Sequence, residues 1–221
     1  MDEPRPWRVM DAVVVFVAGT AAATAAYLAV GDATVLAVFG VIIPAQLVGM
    51  VLALAALVPR RKPWRESFRW SVRWSDLVGL PIGLGIQVVL ALLVGSIASA
   101  VEIEIPTQEV IDSAAAAGVW FEWVLVAVGL VVLGPLVEEV LFRGVLLRAL
   151  ERRSRFIAVY GSALLFAAAH AFDPAAWFML PSLFVLGVVL GYEVLRTGRL
   201  GRVVAIHAGF NSLALGGLIV G

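Results

Sequence analysis

The sequence contains no cysteine, two histidines and a single lysine. Without cysteine there is no disulfide and no thiolate metal site, and the redox compartment is left open. Charge is scarce too, at 14% of residues, where a soluble domain carries about 25%. No linker, low-complexity tract or repeat divides the chain, and no small-residue cleavage site follows its first residues. We therefore read 1–221 as one membrane domain whose first segment is an anchor rather than a removable signal peptide. What is present is apolar: 62% of residues are hydrophobic and the mean hydropathy is +1.01. Apolar runs of the roughly 20 residues that a membrane helix needs fall at 9–30, 34–58, 77–101, 119–147, 156–172, 177–195 and 203–221. They predict an all-α bundle of seven membrane helices. Lipid surrounds such a bundle, and no nucleic-acid partner is expected.

The basic residues orient it. Arg60, Arg61, Lys62, Arg65, Arg69 and Arg73 crowd the second loop, Arg148, Arg152, Arg153 and Arg155 the fourth, and Arg196, Arg199 and Arg202 the sixth. The alternate loops hold no Lys or Arg; Asp32 lies in the first, and Glu102, Glu104, Glu109 and Asp112 lie in the third. By the positive-inside rule the N-terminus is cytoplasmic and the C-terminus outside. Within the loop 59–76, a helical plot puts Arg65, Arg69 and Arg73 on one face and Trp64, Phe68, Trp70 and Trp74 on the other. That pattern suits an interfacial helix. It reads first as an anchor, with a substrate gate or an anionic-lipid site as the alternative.

The fourth span breaks the apolar pattern with Glu138, Glu139 and Arg143. Each charge at the centre of a membrane helix costs about 2.5–3.5 kcal/mol, so three uncompensated ones would cost roughly 8–10. Such a segment must face protein or a water-lined cavity, which makes its charges functional candidates. Glu139 and Arg143 are four residues apart and can pair on one helix face, while Glu138 points about 100° away. Pro135, next to Gly134, cannot donate to the carbonyl of Val131 and should kink or open the helix one turn before the carboxylates. The two histidines complete the inventory. His170 ends Phe166-Ala167-Ala168-Ala169-His170 in the fifth span, and His207 opens His207-Ala208-Gly209-Phe210-Asn211 in the seventh.

Glu-Glu-x-x-x-Arg at 138–143, Phe-x-x-x-His at 166–170 and His-x-x-x-Asn at 207–211, in this order on successive spans, closely resemble the CPBP family of intramembrane proteases. That family (the CAAX protease, bacteriocin-processing or ABI group) includes the type II CAAX prenyl endopeptidases. The resemblance covers about 119–221, a catalytic core; the earlier spans match only in character. It implies that Glu138 is the general base for the hydrolytic water and that His170 helps to hold that water. It further implies that His207 and Asn211 stabilise the oxyanion, and that Glu139 with Arg143 holds the architecture. The implied substrate is a membrane-associated or lipidated peptide. Glu138, His170 and His207 could equally bind a divalent metal such as zinc; the zinc-protease helix signature His-Glu-x-x-His is absent, but the family resembled is often described as one of metalloproteases, and the expectation is a metal-dependent protease.

Depth along each span complicates the picture. Counting 1.5 Å per residue puts Glu138 about 15 Å from Arg148, His170 about 22 Å from Arg155 and His207 about 7 Å from Arg202. Tilted spans, or a fifth helix extended into the cytoplasm, would bring them to one cavity open to the cytoplasm. Two other functions use similar residues. A non-enzymatic scaffold or immunity-type protein could keep the bundle, and a small transporter could use carboxylates and His as a proton relay. The inverted repeats with paired broken helices expected of many transporters are not found.

Overall fold

A computed structural model describes residues 7–31, 34–58, 71–103, 120–171 and 174–220. The arginine-rich stretch 59–70, Asp32, Glu104, Glu109, Asp112 and the boundary residues 172–173 lie outside them. Within the described residues every regular element is helical. Seven helices follow one another: α1 Val9–Val30, α2 Val35–Leu57, α3 Trp74–Ala100, α4 Trp120–Glu151, α5 Ile157–Ala169, α6 Leu180–Thr197 and α7 Leu200–Val220. Five segments are long and apolar enough to cross a membrane: α1, α2, α3, α4 and Ala176–Thr197, which contains α6. α5 is a shorter apolar helix. The protein is an integral membrane helix bundle.

Local chemistry sets the ends of these helices. The Asp11 carboxylate accepts the Arg8 backbone N–H at 2.8 Å and caps α1, which stops at Gly31 with φ 85°. Gly198, with φ 68°, ends α6 in the same left-handed way, which only glycine adopts freely. Glycine also lets α3 lie against α7. A Cβ on Gly83 would strike the Ile206 carbonyl, and one on Gly209 would strike that of Leu80. Close approach through small residues is how membrane helices associate where lipid offers no hydrophobic drive. The core lies where α4, α6 and α7 meet, at the fully buried Val145, Leu147, Leu186, Leu190 and Val203.

The N-terminal end of α3 corrects part of the interfacial-helix expectation. Arg73 is extended, with φ −129° and ψ 152°, and Trp74 opens a 3₁₀ turn over Trp74–Val78. Arg73 therefore does not continue a helix with Arg65 and Arg69. The cause is Asp76, whose carboxylate accepts the Arg73 backbone N–H at 2.8 Å and so starts a new helix there. Asp76 also pairs with Arg199 at 3.0 Å, tying the start of α3 to the α6–α7 turn.

Candidate active site

α4 is not one regular helix. Residues Val128–Leu133 and Val140–Leu146 are wound as π-helix, and the glutamate pair sits on the short α-helical piece between them, Gly134–Glu139. In the π register the Gly134 N–H bonds to the carbonyl of Gly129, five residues back. The next bond would run from residue 135 to Leu130, but Pro135 has no N–H. The Leu130 carbonyl instead accepts Nδ2 of Asn211 at 2.8 Å. In this π register the carbonyl that Pro135 leaves open is that of Leu130. Asn211 of α7 closes it.

Glu139 and Arg143 are both fully buried. Nη1 of Arg143 donates to Oε1 of Glu139 at 2.8 Å, and Nη2 donates to the Gly187 carbonyl of α6 at 3.2 Å. The same Oε1 of Glu139 lies 2.9 Å from Nδ1 of His207. The guanidinium carbon stands 4.6 Å from the centroid of the Phe166 ring, within cation–π range. Phe166 also packs edge-on against His170 and His207, with centroids 5.1 and 5.5 Å away. One aromatic ring thus touches the cation and both imidazoles.

These bonds decide where the histidines point. His170 Nδ1 is 2.9 Å from the Phe166 carbonyl, which can only accept, so this nitrogen carries the proton. His207 Nδ1 donates to the Glu139 carboxylate by the same reasoning. Both rings therefore turn Nε2 toward Glu138. Oε2 of Glu138 is 4.0 Å from Nε2 of His170 and 3.8 Å from Nε2 of His207. That oxygen is buried and has no hydrogen-bond partner, although the Glu138 side chain as a whole is 30% exposed. An unpartnered buried carboxylate oxygen is costly, and here it faces two imidazole nitrogens across a gap.

The gap opens into a cavity of about 390 Å³. Glu138, His170, His207 and Asn211 all line it, and the remaining walls are mainly apolar, with Met50, Phe142 and Leu183 among them. The side chains meet here in spite of the spread of depths counted along their helices; α4 runs on to Glu151, whereas α7 starts at Leu200, which is fully buried. Glu139 and Arg143 stay outside the cavity wall, behind His207.

The fit of a metal can be judged from these spacings. Tetrahedral zinc at about 2.0–2.2 Å from its ligands sets them about 3.4 Å apart. The 3.8 and 4.0 Å separations are wider. Among the described residues no group of three or more His, Cys, Asp or Glu is arranged so that it could hold a metal ion. A water about 2.8 Å from each of two atoms spans roughly 4.0–4.5 Å. The observed separations fall between these two spacings, at or just below the lower end of the water range.

Residues 119–213 match the profile of a family described as type II CAAX prenyl endopeptidase Rce1-like. Over this stretch the chain is similar to that family. The matched region contains all three motifs and every residue of the cluster just described. No curated protein and no solved structure matches the chain. The family supports a CAAX-type intramembrane protease in general terms. The cavity, however, draws on more than the matched region, because α1, α2 and α3 contribute Phe16, Gln46 and Gln87 to its wall.

Some participants escaped the sequence reading. Phe166 was part of a motif without a role of its own, and the carbonyls of Leu130 and Gly187 carry no sequence signal. Gln46 and Gln87 did carry one. They are two of only three glutamines in the chain, and both lie in apolar spans.

Proposed function

We propose that the protein is an intramembrane endopeptidase in which Glu138 activates water to hydrolyse a peptide bond of a membrane-associated or lipidated substrate. The observation that carries this reading is the buried, unpartnered Oε2 of Glu138, facing two histidine nitrogens at 3.8 and 4.0 Å in a cavity wall. A water in that gap donates one proton to the carboxylate, and His170 Nε2 accepts its other proton and orients it. The water oxygen attacks the scissile carbonyl carbon while Glu138 takes up the proton, which then passes to the leaving amine. The oxyanion faces Asn211, one of whose two amide N–H groups is held by Leu130, and Nε2 of His207 when that ring carries a second proton. Glu139 and Arg143 keep His207 in register from behind.

The experiment is a single-turnover cleavage in ¹⁸O-water by the purified full chain in phosphatidylcholine–phosphatidylglycerol vesicles. The probe is an internally quenched, farnesylated peptide ending in a Cys-aliphatic-aliphatic-X sequence. Direct attack by water places one ¹⁸O in the new carboxylate in the first turnover. A first-turnover product without the label means that Glu138 itself attacks, and the water role fails. Activity abolished by dialysis against a chelator and restored by zinc means that the three atoms close on a metal instead.

A further inference from the structure

Gln87 of α3 is 8% exposed, lines the cavity, and keeps its Oε1 buried with no hydrogen-bond partner. An unpaired buried amide oxygen lowers stability, and an apolar side chain would fill the same place without that penalty. A polar group held at such a cost inside a membrane bundle points to a ligand.

Its height in the bundle suggests which ligand. α3 and α7 run in the same direction, since Gly79 packs against Arg202, Ala205 and Ile206, and Gly83, one turn on, against Ile206 and Phe210. Gln87 is one further turn along the same face of α3. That brings it to the turn of α7 that follows Phe210 and includes Asn211, and Gln87, Asn211 and His207 all line the cavity. The surrounding wall is apolar, so an entering peptide loses the water that solvated its main chain. Each main-chain N–H then needs an acceptor.

Building on the hydrolase reading above, we infer that Gln87 is a substrate-positioning residue. Its side-chain amide accepts a main-chain N–H of an extended peptide next to the scissile bond and sets that bond over Glu138. The ligand class is an extended peptide backbone with apolar side chains. Recognition of this part of the substrate comes from α3, outside the stretch 119–213 that matches the family profile. The residue touches the substrate and takes no part in bond making.

The test uses the full chain in vesicles with the same farnesylated peptide. Gln87→Leu is expected to melt at or above the wild-type temperature, because it removes an unpaired polar group. It should raise KM about tenfold, one neutral hydrogen bond, with kcat within threefold of wild type. Peptides carrying N-methyl groups in turn on the amides flanking the scissile bond give the second readout. One position should lose about tenfold with wild type and nothing further with Gln87→Leu. A variant with wild-type KM, or equal N-methyl losses in both proteins, overturns the inference while leaving the hydrolase reading intact. A large fall in melting temperature assigns Gln87 to the scaffold and also overturns it. Wild type that cleaves no probe fails the hydrolase reading and takes this inference with it.

Discussion

Replacing Glu139 by alanine removes the shared partner of two buried groups. Arg143 then keeps only the 3.2 Å bond from Nη2 to the Gly187 carbonyl and its stacking on Phe166. His207 loses the acceptor at Nδ1. Breaking a buried ion pair on one side costs about 3–5 kcal/mol, because the remaining charge is stranded. The orphaned imidazole N–H adds about 1–3 kcal/mol when counted alone, and the two losses overlap because both run through Oε1. We therefore expect about 3–5 kcal/mol in total. At roughly 2–4 °C per kcal/mol for a chain of this size, Glu139→Ala should melt about 6–20 °C below wild type. The assay is thermal unfolding of the reconstituted protein followed by Trp fluorescence. The double variant Glu139→Met, Arg143→Met, which removes both charges, should recover most of the loss. A single variant within about 2 °C of wild type, or a double variant no better than the single one, would refute the account of this pair.

Phe166→Leu should lose cleavage activity as well as stability, because the ring at 4.6 Å from Arg143 also backs both imidazoles; activity per folded molecule separates the two effects. Pro135→Ala restores an N–H that competes with Asn211 for the Leu130 carbonyl. Its activity should fall while its melting temperature holds or rises. Reporter fusions at residues 66, 110 and 221 should read inside, outside and outside, following the arginine distribution; an external signal at 66 would overturn that orientation.

How far the sequence could be read depended on the range of each interaction. The helices were legible because long apolar runs dictate them; six of the seven expected runs correspond closely to observed helices, although only five described segments are long and apolar enough to cross a membrane. The fifth ends earlier than its hydropathy suggested, at Ala169, where His170 becomes the cap. The Glu139–Arg143 pair could be anticipated because i,i+4 spacing survives in a helix. The Leu130–Asn211 bond could not. It depends on a π register that no residue pattern announces, and on α7 crossing α4 at that level. Phe166 was hidden for a different reason: a phenylalanine in an apolar span looks like packing until its neighbours are known. Arg73 was misassigned because helical periodicity carries through a cap, and the Asp76 carboxylate that breaks it was not weighed.

The central claim is that Glu138 supplies the base. Glu138→Gln keeps the shape of the side chain and removes the proton acceptor, so it isolates that function. Cleavage of the farnesylated peptide by Glu138→Gln should fall to the level of empty vesicles, while its melting temperature stays within a few degrees of wild type. A folded Glu138→Gln protein that still cleaves at a tenth of the wild-type rate or faster, on a scale where removing a general base costs about 10²–10⁴-fold, would contradict the account.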